Sequence, residues 1–508
     1  MQPIDLIYRA AAYDPDAVAV EAPGVALTYG ELSTRVDALA RALQSVDPGP
    51  QSRVGICAYN TVEHLTALLA VMAAEKIWVP LNPLDSERDL ATKMSAARPS
   101  VVVADENCLA RIEPGPATVV IGARDSDGAR ADAPDIESFI ARHSGERPRR
   151  QGLSPSLTQA IKFTGGSSGK PKGVLQPYRA WVAGASSMVH AFGFGAADRY
   201  LMAAPLTHGT SCYVTPILSV GGTLVFMPGK TTPEKVLGAF RDENITASFL
   251  PPTLIYMMMQ AMEGESYNIE RLRLLIYGAA IMPPEKIRQA RASFGPVVAT
   301  NYGLTEAPQI ITALTPDEAS DESIIASVGR SSFMTRVGIM NPAGELLGPG
   351  DQGEIVVGGD LLMSGYLDKP EQTAEALVDG WLHTGDVGCL DDRGYLYLKD
   401  RLKDVIISGG FNVYPSDVEA ALVAHPAIHE CVVFGRPDDK WGEAVQAAVE
   451  LREGAEADAE DIIAFAKRQI GSVQAPKRVH FLDSLPRSAV GKVQRRAVRD
   501  LTERGGET

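Results

Sequence analysis

The stretch KFTGGSSGKPKGV, residues 162–174, puts four glycines, three lysines, two serines and a threonine into thirteen positions. A glycine-rich turn lets backbone N–H groups crowd an anion, hydroxyls add donors, and lysine supplies counter-charge, so this composition suits phosphate. The spacing is not that of the common P-loop. Three residues rather than four separate Gly165 from Gly169, and Lys170 is followed by Pro171. A phosphate loop here is of another kind, and a Gly/Ser-rich linker would share its composition. Three more turns carry side chains suited to a nucleotide. NYGLTE (301–306) offers Tyr302 to stack on a base, Thr305 to donate to phosphate and Glu306 to hold Mg2+, with an ordinary turn around a core tyrosine as the alternative. GWLHTGD (380–386) ends on Asp386, which suits a sugar diol or simply closes a turn. PRSAVGKVQRR (486–496) places Lys492 in a glycine-containing loop, where a solvated basic tail is the plain alternative.

The elements that must position these turns alternate in type. YGELSTRVDALARALQSV and VEHLTALLAVMAAE have apolar residues at helical spacing, while RVGICAYN and SVVVADE read as strands. After the glycine loop the pattern continues through GTLVFMP, a helix from about Pro233 to Glu243, TASFLP, a further helix and LRLLIYGAA. Strands alternating with helices imply βαβ units and parallel sheet. A strand that runs into a small-residue turn, as LLIYGAA does, puts that turn at the carboxyl end of the sheet, where open α/β sheets bind ligands. After Ala326 the texture becomes Gly- and Pro-rich with short β runs, which suggests a small β subdomain. Beyond a charged pivot at Lys399–Asp404, about a hundred residues of alternating helix and strand suit a separate small domain.

At 508 residues, 45% hydrophobic and 22% charged, the chain reads as a soluble protein of two or more domains. A net charge of −15 disfavours nucleic acid or an anionic membrane as the main partner, and any anionic substrate needs a local positive pocket. Cys57, Cys108, Cys212, Cys389 and Cys431 are scattered without a CxxC pair, pointing to a reducing cytosol and no zinc or disulfide framework. The N-terminus lacks a signal-peptide core, and the apolar run Leu65–Ala74 is too short to span a bilayer and reads as a buried helix. A cytoplasmic monomer or homodimer is expected.

In sequence order, a Gly/hydroxyl/Lys loop, YGLTE, GWLHTGD, DRLKD with SGG, and a C-terminal GK loop resemble the adenylate-forming superfamily. That group holds acyl- and aryl-CoA ligases, peptide-synthetase adenylation domains and luciferases. The resemblance runs from LTYGEL (27–32) to GKVQRR (491–496), nearly the whole chain. It implies an α/β fold: a large N-terminal domain of stacked α/β subdomains plus a small β subdomain, and a small mobile C-terminal α+β domain. The division would be 1–402 for ATP and the acid and 403–508 for the mobile domain, hinged at Lys403.

Position by position, the resemblance makes Thr164, Gly165, Gly166, Ser167, Ser168 and Gly169 the loop that closes over the β- and γ-phosphates of ATP, with Lys172 as the lysine of the family's PKG element. Gly165 stands where the family usually has serine; one hydroxyl donor is lost, and activity is expected to survive on the others. Tyr302 would stack on adenine, with Gly278 and Ala279 as the other wall and Asn301 and Gly303 completing the turn. Thr305 would contact phosphate, and Glu306, with Thr164, would hold Mg2+. Asp386 would accept the ribose hydroxyls, assisted by Arg401. Lys492 would bridge the attacking carboxylate and the α-phosphate. A carboxylate attacking phosphorus among negative oxygens needs charge neutralisation more than a base, so no Ser–His–Asp set is required. Rotation at Lys403 would then bring Ser408, Gly409, Gly410 and Phe411 to the acyl group and open a path for a thiol.

The implied activity is acid plus ATP giving acyl-AMP and pyrophosphate, then acyl-CoA and AMP. Coenzyme A is favoured as the thiol because Trp441, Lys477 and Arg478 match positions that hold it in similar ligases; a carrier protein's phosphopantetheine is the alternative. The acyl pocket falls on PLTHGTSCYVTP, where His208 resembles a gating residue, with Gly209, Ser211 and Cys212 beside it. Ala280, Ile281, Leu304 and Gln309 complete a small, mostly apolar lining with no second cation. No aspartate stands there to hold an ammonium, and a dicarboxylate would want Arg or Lys in the set. The acid is therefore expected to be an apolar aromatic, alicyclic or medium-chain monocarboxylate. A nucleotide-binding sensor without catalysis has only Gly165 in its favour.

Overall fold

The computed structural model describes residues 1–112, 117–121, 134–164, 171–227, 229–263, 267, 269–487 and 493–504. The chain divides into two compact units, one of residues 1–337 and 356–383, the other of 338–355 and 384–508.

The first unit is built on two sheets. One has nine strands, and its central run pairs in parallel: Val298–Tyr302, Leu274–Tyr277, Ala247–Leu250, Arg199–Leu201, Thr223–Val225 and Val18–Ala22. The other has seven strands, in the order Gly365–Tyr366, Lys172–Pro177, Thr158–Thr164, Ile77–Leu81, Arg53–Cys57, Val101–Asp105 and Ala117–Ile121. Strands such as Ile77–Leu81 and Leu274–Tyr277 are apolar at every position because each sheet is covered on both faces. Alternate residues of a strand then serve different cores. Leu274 and Ile276 enter the same cluster as Val101 and Val103, together with the helices Tyr29–Val46, Val62–Ala73 and Tyr178–Phe192. Leu275 and Tyr277 face a second cluster under the helices Pro233–Asp242, Pro252–Ala261 and Pro284–Phe294. Val102 and Ala104 face a third, with Leu90 and Met94 of the helix Glu87–Ala97.

Local signals start the helices where the sequence places them. Thr28 accepts from the Glu31 amide and Glu31 returns the bond, a capping box that begins Tyr29–Val46. The Tyr29 ring is buried, and its hydroxyl donates to the Leu218 and Gly222 carbonyls at 3.1 and 2.7 Å. The run expected to be a buried helix, Leu65–Ala74, falls in the helix Val62–Ala73 and its C-cap Ala74, and every residue of that helix except Glu63 is buried. Among the described residues no helix is long and apolar enough to cross a membrane. All five cysteines are free thiols.

In the second unit, Gly442–Leu451 pairs antiparallel with Ile428–Asp438 and parallel with Arg478–Phe481, and Ile406–Ser408 pairs with Phe411–Val413. The helices Pro415–Val423 and Ala459–Gln474 cover this sheet through Val418, Leu422, Ile462 and Ala466. The Asp458 side chain accepts from the Asp461 amide at 2.8 Å and starts the acidic helix.

Candidate active site

The glycine loop connects the two strands of a hairpin. Thr164 ends one strand and Lys172 begins the next, and they are register partners. Residues Gly165–Gly169, with their expected phosphate contacts, lie outside the described residues, as does Lys492. The glutamate turn is fastened to the same hairpin from two sides. The Gln176 side chain donates to the Thr305 carbonyl at 2.8 Å and accepts from the Trp181 indole at 3.2 Å. Tyr366, paired with the hairpin opposite Val174, donates its hydroxyl to Glu306 Oε1 at 2.9 Å. The Lys172 ammonium sits over the Tyr366 ring, 4.9 Å from its centre. One tyrosine thus holds the lysine by its face and the glutamate by its hydroxyl, and the motif search did not single it out.

The turn around Tyr302 is tight. Tyr302 is buried at the end of its strand, and a Cβ on Gly303 would come within 2.3 Å of the Gln309 backbone, so only glycine fits. Gln309 itself takes a left-handed backbone, φ 69°. Asn301 donates to the Tyr213 hydroxyl at 3.1 Å and to the Gln309 carbonyl at 2.9 Å. Its buried Oδ1 has no hydrogen-bond partner among the described residues, and a Cβ on Gly278 would stand 3.0 Å from it. Ala279 also has positive φ, at 67°. Ala280 and Ile281 are exposed. An unpartnered acceptor beside a glycine that leaves room fits a flat ligand with an amino group, such as adenine.

The His208–Cys212 turn meets these residues through Gln309, whose Oε1 would lie 2.6 Å from a Cβ on Gly209. His208 Nδ1 lies 3.0 Å from the Thr207 hydroxyl. The His208 side chain is open on one side, yet the protein around the ring strips its hydration, and Lys162 and Lys93 add positive charge; its pKa falls to about 4. At neutral pH the imidazole is neutral. Under this turn lies the residue that sequence reading overlooked. Lys162 is buried and donates to Ser211 Oγ at 2.7 Å and the His208 carbonyl at 3.0 Å. Behind the expected lining the structure adds a buried lysine, from the strand Thr158–Thr164. The signal was available, since a charged residue inside a strand of a doubly covered sheet has no solvent to point to.

In the second unit Asp386 and Arg401 are partners on adjacent antiparallel strands, with a carboxylate oxygen 2.7 Å from the guanidinium. Asp386 is mostly buried, and its amide donates to the Thr384 hydroxyl at 3.1 Å. Lys403 is exposed in the short turn Leu402–Asp404. Arg495 binds Asp400, Asp404 and Glu419 at 3.3, 3.3 and 2.8 Å, so both flanks of Lys403 are held from the C-terminal helix. The Gly409 amide donates to the Trp441 carbonyl at 2.7 Å, and a Cβ on Gly409 would meet the Trp441 ring at 3.1 Å. Ser408 is buried, while Gly410 and Phe411 are exposed beside it. The Trp441 ring carries the ammonium groups of Lys440 and Lys477 at 5.0 and 5.1 Å. Lys477 donates to the Ser472, Val473 and Ala475 carbonyls, a helix-end role that occupies all three of its protons, whereas Arg478 is exposed.

This architecture is that of an adenylate-forming enzyme. It superposes on the amide bond synthetase McbA from Marinactinospora thermotolerans with a TM-score of 0.88 at 31% identity, covering 99% of this chain and 100% of that one. The chain belongs to the AMP-binding enzyme family, whose model matches residues 7–367, with the family's C-terminal domain at 417–492. Among curated relatives, the medium/long-chain-fatty-acid–CoA ligase FadD8 of Mycobacterium tuberculosis is 34% identical over 93% of this chain and 85% of its own length. Feruloyl-CoA synthase of an Amycolatopsis species is 33% identical over 97% of both.

Proposed function

We propose that this ATP-dependent acid–CoA ligase takes a monocarboxylic acid with an apolar body, aromatic, alicyclic or medium-chain. Its curated relatives include a fatty-acid ligase and a feruloyl-CoA synthase, acids of that kind. In the first half-reaction a carboxylate oxygen of the acid bonds to the α-phosphorus of ATP, the α–β bridge breaks and pyrophosphate leaves. In the second the CoA sulfur bonds to the acyl carbon, AMP leaves, and the thiol proton passes to solvent.

The chain's own residues divide this work by charge. Lys172 and the donors of the glycine loop neutralise the leaving pyrophosphate, and Lys492 does the same at the α-phosphate. Glu306 and Thr164 supply hard oxygen donors that fit Mg2+, which when bound adds positive charge at the phosphates. Tyr366 fixes Glu306 and Lys172 relative to each other. Tyr302, Gly278 and Asn301 hold adenine, and Asp386 holds the ribose with Arg401 beside it. The neutral His208 lines the entrance to the acyl site without competing for the acid's carboxylate. Ser408–Phe411, Trp441 and Arg478 serve the CoA step, with Lys477 acting by shaping the helix end under Trp441.

The observation that carries this reading is the linkage of Lys172 to Glu306 through Tyr366. It gathers a cation and a hard-oxygen metal ligand beside the glycine hairpin, as charge-neutralising phosphoryl chemistry requires. The test is pyrophosphate exchange and AMP release with Lys492→Ala: acid-dependent exchange is expected to collapse while the purified protein keeps its unfolding temperature. Exchange at the wild-type rate would remove Lys492 from the mechanism.

A further inference from the structure

We infer that Lys162 determines specificity in this enzyme, its ammonium selecting acids that carry an oxygen acceptor remote from the reacting carboxylate. The inference deepens the reading of an acid–CoA ligase and rests on it.

Lys162 lies in the strand Thr158–Thr164 and is only 7% exposed. Its ammonium lies 5.1 and 5.4 Å from the ring centres of Trp78 and Trp181. Among the described residues no carboxylate pairs with it. A buried cation without a counter-ion is costly, and loss of hydration draws the Lys162 pKa below the ordinary lysine value. Two of its three protons meet good oxygens, on Ser211 and the His208 carbonyl. The third has only the Cys212 sulfur, at 3.9 Å. A thiol sulfur at that distance is a weak acceptor, so this direction is under-satisfied. Ser211 is buried while Cys212 is partly exposed, so the weak partner is also the one on the open side of the turn.

The placement is also suitable. Side chains two apart on a strand share a face, so Lys162 lies on the same side as Thr164 and about 7 Å further down. A cation there is set back from Thr164 and lies beneath the His208–Cys212 turn, the segment assigned to the acyl site. An apolar acid leaves the ammonium on its weak sulfur contact. A phenol, ether or ketone oxygen on the acid's far end replaces that contact with a charge-assisted hydrogen bond, and the cation is already desolvated. If Lys162 served only to fasten the turn, its loss would lower turnover of all acids alike and leave their ratios unchanged.

The experiment measures kcat/KM for AMP release by the full-length protein on matched acids: cinnamate against 4-hydroxycinnamate, cyclohexanecarboxylate against its 4-oxo derivative, and octanoate against 8-hydroxyoctanoate. Wild type is expected to favour the oxygenated member of at least one pair by roughly 10-fold or more, the scale of a hydrogen bond to a charged donor. Lys162→Met should bring that ratio to about one, and Lys162→Arg should largely keep it. The wild-type ratios stand by themselves if a variant does not fold. Equal turnover within every pair, or a Lys162→Met protein with the wild-type ratio, overturns the inference and leaves the ligase intact. No AMP release with any acid overturns the ligase reading itself.

Discussion

Tyr366→Phe removes one oxygen atom from the protein, and the structure says what that atom does. The hydroxyl donates to Glu306 Oε1 at 2.9 Å, while the ring beneath Lys172, 4.9 Å from the ammonium, is unchanged in phenylalanine. A hydrogen bond to a charged group contributes about 1.5–3 kcal/mol, and partial exposure of this pair places it toward the lower end. At about 1.4 kcal/mol per factor of ten, the expected loss is roughly 10- to 30-fold. It should appear in kcat/KM for ATP in acid-dependent pyrophosphate exchange, with a raised Mg2+ requirement and an almost unchanged unfolding temperature. Tyr366→Ala should lose a further factor of about three, because the cation–π contact is worth roughly 0.5–1 kcal/mol at a partly exposed site. Wild-type exchange in Tyr366→Phe, or equal losses in the two variants, would refute the view that this tyrosine positions both partners.

Asp386→Asn should raise the KM for ATP by roughly 10-fold, measured by exchange at varied ATP, because a charged acceptor for the ribose becomes a neutral one. Arg495→Ala leaves Asp400, Asp404 and the half-buried Glu419 without their shared cation, and chemical unfolding of the full chain should show a loss of about 1–3 kcal/mol. His64 is fully buried, and desolvation lowers its pKa from 6.5 to about 4. The unfolded chain then binds the proton more readily, so stability contributed by neutral His64 is lost as pH falls from about 6.5 to 4, by about 3 kcal/mol in full. Burial raises Asp105 to about 6, which works in the opposite sense over an overlapping range. The stability difference between wild type and His64→Phe therefore isolates the histidine: it should shift in favour of the variant on acidification, and a flat difference would refute the assignment.

The fold was legible because strands and helices alternate strongly and their starts carry caps, as at Thr28 and Asp458. The nucleotide turns were legible because their chemistry is local: an aromatic ring, a glycine, a hydroxyl and a carboxylate within six residues at 301–306. Tyr366 was not, because it belongs to a two-residue strand that meets Glu306 from 60 positions further along the chain and has no periodicity to announce it. Lys162 was missed for a different reason. It reads as one of three lysines in a loop-like stretch, whereas the strand Thr158–Thr164 extends far enough to carry it inside the sheet. Lys477 was recognisable by type, but its commitment to three helix-end carbonyls depends on where the helix Ala459–Gln474 stops.

The most direct test is AMP release by the purified protein with ATP and Mg2+ across benzoates, cinnamates, alicyclic acids, fatty acids of graded length and malonate, each with and without CoA. The account predicts CoA-dependent turnover concentrated on one class of apolar-bodied monocarboxylic acid, with malonate inert. Pyrophosphate exchange that CoA does not convert into turnover would contradict CoA as the thiol, and absence of both signals with every acid would contradict the ligase.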